Sequence, residues 1–136
     1  MTAPASTPSK VLVRDIMSQP VLTVEVDESL WDAWQLLFVS GLRHLVVIDK
    51  VGRSVGILSD RNILAEVPAT AEHLSSRLVS DVLARVPVAS IGPEADPREA
   101  ANVMAHATSE AVPVLEADGR LVGIVTESDL VRWLGD

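Results

Sequence analysis

Residues 112–130 read VPVLEADGRLVGIVTESDL, and residues 45–63 read LVVIDKVGRSVGILSDRNI. The two stretches align without a gap at a separation of 67 positions. Each opens on a β-branched run (Leu45–Ile48; Val112–Leu115), which predicts a strand. A turn follows, Asp49-Lys50-Val51-Gly52 or Glu116-Ala117-Asp118-Gly119, and Asp-Gly is a strong hairpin signal. A second strand comes next (Val55–Leu58; Leu121–Val125), then a helix opening at Ser59 or Thr126. Gly56 and Gly123 fall inside that second strand, where a glycine marks a bulge or the close approach of another backbone or a ligand.

The alignment extends upstream. Pro20-Val21-Leu22-Thr23-Val24 falls on Pro87-Val88-Ala89-Ser90-Ile91, and both read as short extended runs. Val13-Arg14-Asp15-Ile16-Met17 falls on Val79-Ser80-Asp81-Val82-Leu83 at a shift of 66, so one residue is inserted near Arg85. Between run and hairpin lies a helix. Ser29 with Asp32, and Asp96 with Glu99 behind Pro97, have capping-box spacing. Leu30, Ala33, Trp34, Leu37 and Phe38 then recur at helical spacing, as do Ala100, Val103, Met104 and Ala107. The chain is therefore read as a tandem duplication: a disordered tail at 1–10, repeat 1 at 11–66, a connector at 67–77 and repeat 2 at 78–134. Each repeat reads β-α-β-β-α. One copy of about 60 residues buries too little surface to be comfortable alone. The expected fold class is α+β, with two small sheets packed face to face about a pseudo-twofold axis.

Composition narrows the function. The chain has 136 residues, 48% hydrophobic, with no Cys and a net charge of −8. Absence of Cys excludes disulfide scaffolds, thiolate nucleophiles and Cys-ligated metals. The acidic balance argues against nucleic-acid binding. Residues 1–10 lack the apolar core of a signal peptide, and no apolar run reaches the length of a membrane span, which makes a soluble cytoplasmic protein without membrane contact the expectation. Three scattered His predict no metal site, and no Gly-x-Ser-x-Gly elbow or Gly-rich phosphate loop appears, so no enzyme is expected.

The pattern Val-Arg-Asp-Ile-Met (13–17), Thr23-Val24, helix, Arg-His-Leu-Val-Val-Ile-Asp (43–49), Gly-Ile-Leu-Ser (56–59) resembles a CBS domain, and repeat 2 resembles it more closely. The tandem pair looks like a stand-alone Bateman module. That resemblance implies a sensing module with two clefts between the repeats, one or both able to take an adenine nucleotide or a relative: AMP, ADP, ATP, S-adenosylmethionine or NAD. It also implies a homodimer and a regulated partner protein of unknown identity, with no cofactor required.

The resemblance carries over residue by residue. The motif Gly-apolar-x-Thr/Ser-x-x-Asp/Asn stands at Gly56…Ser59…Asn62 and at Gly123…Thr126…Asp129. In the family its last carboxylate takes the ribose hydroxyls and its hydroxyl faces the phosphate. An apolar-Pro step, whose backbone reads adenine, stands at Val112-Pro113; repeat 1 has Val46 in place of the Pro. Repeat 2, with Asp129 and Pro113, is thus the better half-site. Arg43, His44 and Arg61 are the phosphate candidates, while Thr23, Ser90, Glu127 and Ser128 complete the set.

Asp129, acceptor-only when ionised, suits two hydroxyls, whereas Asn62 offers one carbonyl oxygen. The helix starts after Ser59 and Thr126 offer N–H groups and a favourable dipole to an anion. Residues 79–136 carry 4 basic and 10 acidic side chains, so a phosphate bound there must find positive charge across the cleft, at Arg43 and Arg61.

Each feature also has a plainer reading. Thr-x-x-Asp is close to a capping box, Arg43 suits a solvated surface, and His44 suits a strand edge. Trp31 and Trp34 read as packing residues. The alternative function is a ligand-free dimerisation or partner-docking module, with Trp31, Trp34 or Trp133 on its surface.

Overall fold

In the computed structural model, which describes residues 10–83 and 89–136, a short helix α1 (Val13–Ile16) leads into strand β1 (Thr23–Glu25) and helix α2 (Leu30–Ser40). The hairpin β2 (His44–Ile48) and β3 (Ser54–Ser59) follows, then α3 (Asp60–Glu66), α4 (Ala71–Ser75) and α5 (Val79–Val82). Helix α6 (Pro97–Ala107), hairpin β4 (Ala111–Leu115) and β5 (Leu121–Thr126), and helix α7 (Glu127–Gly135) complete the second repeat. The expected tail lies outside the described residues apart from Lys10, as do Arg85, Pro87 and Val88.

The hairpins repeat one another in detail. Val47 pairs with Gly56 and Val114 with Gly123, and the register slips after both pairs. In each turn a glycine takes the left-handed conformation a side chain resists, Gly52 at φ 88° and Gly119 at φ 89°. β1 pairs parallel with β2. In repeat 2 the corresponding run is reduced, among the described residues, to one parallel bridge between Ile91 and Val114.

The helix starts also follow local chemistry. Ser29 Oγ accepts the Asp32 N–H at 3.1 Å. Asp96 departs from the expected box: its Oδ1 accepts the N–H of Arg98 at 2.8 Å, not that of Glu99. Helices α1 and α5 were not legible as helices. Each is a single turn closed by an aspartate, with Asp15 accepting the Leu12 N–H and Asp81 the Leu78 N–H, both at 2.8 Å.

These two turns cross between the repeats. The Val13 N–H donates to the carbonyl of Ala95 at 2.8 Å, and Val13 is wholly buried with Ala100, Met104, Val112 and Val125. In return, the Val79 N–H donates to Glu28 at 2.9 Å, and Val79 joins Leu30, Leu45, Leu58 and Ile63. Each repeat thus completes the other's core. The connector helix α4 sends Leu74 into the first core. Between the sheets, Val46, Ala111 and Ile124 form a third apolar cluster with Val21 and Ile57, which is the face-to-face packing expected from the duplication.

Candidate functional site

The apposition of the repeats leaves two clefts. The larger, of about 530 Å³, runs between the Ser18–Leu22 segment and the Gly41–His44 loop of repeat 1 and the start of α7 in repeat 2. The smaller, of about 190 Å³, lies between the start of α3 in repeat 1 and Ala107–Ala111 with Pro113 in repeat 2. His44, Arg61 and Glu110 line both.

Arg43, Arg61, Thr126, Glu127, Ser128 and Asp129 come together in the larger cleft. Ser59, Asn62, Arg61 and Pro113 come together in the smaller one. The pairing of Asp129 with Pro113 in one half-site is therefore corrected. Each cleft takes the Ser/Thr-x-x-Asn/Asp motif of one repeat and the strand-entry loop of the other, because the pseudo-twofold axis runs between them.

Four expected site residues line neither cleft. Val112 is fully buried in the second core: Ala111 and Pro113 face the cleft, and alternation along β4 turns Val112 away. Gly123 is buried against Met17, and a Cβ there would meet the Met17 side chain. Its close neighbour is thus a side chain of the other repeat; Gly56 meets Leu83 Cδ2 in the same way, at 3.3 Å. Thr23 and Ser90 are exposed outside both clefts.

The hydroxyls and carboxylate expected to meet ligand are largely occupied by helix capping. Thr126 Oγ1 accepts the Asp129 N–H at 3.3 Å and donates to Asp129 Oδ2 at 3.1 Å, while the Thr126 N–H donates to the same oxygen at 2.9 Å. Ser59 and Asn62 repeat this, with Ser59 Oγ donating to Asn62 Oδ1 at 2.8 Å. The N–H of Glu127 donates to the Glu110 carbonyl at 3.0 Å, and that of Arg61 to Asp60 Oδ1 at 2.9 Å. The helix starts therefore have few N–H groups left for an anion, and positive charge must come from side chains.

Asp129, 3% exposed, keeps Oδ1 toward the cleft, where it accepts from Ser18 Oγ at 2.8 Å and from Arg132 at 3.4 Å. The same cleft is lined by the apolar Val21, Leu22 and Ile124 and the exposed Arg43. Ser18, Arg132 and Glu110 are the site residues that sequence reasoning missed. Glu110 carried a signal, since it replaces Arg43 in the alignment. Its Oε1 accepts from Arg61 Nη1 at 2.6 Å, and its Oε2 lies 3.7 Å from His44 Nε2. Burial holds the His44 imidazole below its ordinary pKa, opposed by the Glu110 charge, and Nε2 is buried without a hydrogen bond.

Trp31 and Trp34 pack against the first core and Trp133 against the second, with the Arg98 guanidinium 5.8 Å over the Trp133 ring. The packing reading of Trp31 and Trp34 holds. The apolar side chains α2 exposes are Phe38 and Val39. Among the described residues, no helix is long and apolar enough to cross a membrane.

The family model for the CBS domain matches residues 13–69 and again 79–136. The chain belongs to the CBS domain family. As a tandem CBS pair it is a regulatory module. It is 34% identical over 134 residues to a CBS domain-containing protein of Dictyostelium discoideum, covering 92% of both chains. It is 37% identical to an inosine-5′-monophosphate dehydrogenase of Korarchaeum cryptofilum, but spans only 21% of that enzyme. Among solved structures, the CBS domain pair of protein MJ0100 in complex with 5′-methylthioadenosine and S-adenosyl-L-methionine superposes with a TM-score of 0.76 at 27% identity, covering 93% of this chain and 97% of that one.

Proposed function

We propose that this CBS pair senses an adenosine-containing small molecule in its larger cleft and signals occupancy to a partner protein as a cytoplasmic homodimer. The observation that carries the reading is the position of Asp129: a buried carboxylate with one oxygen held by the α7 cap and the other turned into a cleft with an apolar wall. Adenosine combines a flat apolar ring with vicinal hydroxyls, and Asp129 Oδ1 accepts a ribose hydroxyl when Ser18 Oγ yields its place. Arg43, across the cleft in repeat 1, meets a phosphate or carboxylate on the ligand. The related pair in complex with 5′-methylthioadenosine and S-adenosyl-L-methionine supports this ligand class. AMP, ADP, ATP and NAD share the adenosine moiety and belong in the same test.

The test is calorimetric titration of these compounds into the wild type and Asp129→Asn. Asparagine keeps the cap, because Asn62 makes the same bonds in repeat 1. Binding by the wild type and its loss in Asp129→Asn supports the site; equal binding by both, or none by either, overturns it.

The docking reading draws on a different feature. Phe38 is 84% exposed and Val39 82%, side by side at the end of α2. Native mass spectrometry of a washed sample separates the two: a ligand-bearing species favours sensing, and an empty obligate dimer favours docking.

A further inference from the structure

We infer that Glu110 is a specificity-determining residue that holds Arg61 away from ligand phosphates in both clefts, so that the module favours uncharged or zwitterionic adenosyl compounds over nucleoside polyphosphates. This rests on the adenosyl reading of the clefts and names the ligand class within it.

Glu110 stands immediately before β4, at the wall common to the two clefts. Its main chain is pinned there, since its carbonyl accepts the Glu127 N–H at 3.0 Å. Its carboxylate takes Arg61 Nη1 at 2.6 Å, a charge-assisted bond across 49 positions of sequence. The duplication shows what stands here otherwise: the matching residue of repeat 1 is Arg43, so one arm of the pseudo-twofold pair is reversed in charge.

The balance of charge follows. The larger cleft is lined by Arg43, Arg61 and Arg132 against Glu110, Glu127 and Asp129. Two of the three guanidiniums are already engaged, Arg61 by Glu110 and Arg132 by Asp129. In the smaller cleft the cation Arg61 faces the anion Glu110. A polyphosphate entering the smaller cleft meets a carboxylate before it gains a cation; in the larger cleft it gains Arg43 alone, and in both it must compete with Glu110 for Arg61. An uncharged adenosine compound meets neither cost.

The test is calorimetric titration of adenosine, 5′-methylthioadenosine, AMP, ATP and inorganic pyrophosphate into the full chain, wild type and Glu110→Gln, with Glu110→Gln/Arg61→Ala as a third protein. Glu110 and Arg61 are solvent-accessible, and circular dichroism verifies the fold of each variant. Glu110→Gln is expected to bind ATP and pyrophosphate on the order of tenfold more tightly, with adenosine changed less than about twofold. The double variant should lose that gain. Equal changes for adenosine and ATP, a gain that survives removal of Arg61, or wild type preferring ATP over adenosine overturns the assignment. If no adenosine compound binds any of the three proteins, the adenosyl reading fails. The role of Glu110 then stands or falls on whether Glu110→Gln binds pyrophosphate more tightly than the wild type.

Discussion

Ser18 Oγ donates a 2.8 Å hydrogen bond to Oδ1 of Asp129 across 111 positions of sequence. The bond joins the entry segment of repeat 1 to the capping aspartate of repeat 2. It is flanked by main-chain bonds between Ser18 and Ile124, at 2.8 and 3.2 Å. It therefore ties the two repeats at the floor of the larger cleft.

Removing it should be felt in stability. Asp129 is almost fully buried, so Ser18→Ala takes a charge-assisted donor from a carboxylate that water hardly reaches. The expected loss is about 1–3 kcal/mol in urea unfolding. A loss below a few tenths would show that Arg132 and the cap alone satisfy Asp129.

Gly123→Ala should destabilise through Met17. The added Cβ would lie 2.9 Å from Met17 Cγ and 3.3 Å from its Cβ, so rotation of the Met17 side chain relieves only part of the clash. The expected cost is about 1–3 kcal/mol. Gly56→Ala should cost less, since only Leu83 Cδ2 comes close, at 3.3 Å. Met17→Ala in the Gly123→Ala background should recover part of the loss, giving a favourable coupling in a double-mutant cycle.

His44 makes stability depend on pH. Burial holds its folded-state pKa below the ordinary 6.5, with Arg43 acting in the same direction and Glu110 and Asp60 opposing. The unfolded chain then binds more protons than the folded one as pH falls through 6.5 and below. The His44 contribution to stability is thus lost on acidification in that window and regained as pH rises through it. Unfolding free energies of His44→Gln should be flatter between pH 7 and 5 than those of the wild type; parallel curves would contradict this assignment.

The exchange of α1 and α5 predicts that neither repeat stands alone. Residues 78–136 lack Val13, which is wholly buried in their core and contributes about 1.5–3 kcal/mol by burial. That fragment should show no cooperative thermal transition by circular dichroism. In the intact chain Val13→Ala should lower the melting temperature, although Val13 belongs to repeat 1 in sequence. A stable isolated fragment would contradict the exchange.

What the sequence determined is local and periodic. The hairpins, the left-handed Gly52 and Gly119, and the caps at Ser29, Ser59 and Thr126 depend on residues three or four positions apart, and the duplication displays them twice. α1 and α5 are not legible as helices because a single turn has no periodicity to read, and Asp15 and Asp81 are their only local sign. The remaining contacts are non-local. Spacing along the chain does not say that Pro113 faces Asn62 while Asp129 faces Arg43, that Val13 fills the core of repeat 2, or that Glu110 lies against Arg61. Those contacts arise where two similar surfaces meet about an axis, and packing of Val46, Ala111 and Ile124 sets that axis. The same apposition leaves charge selection in the clefts to side chains from opposite repeats.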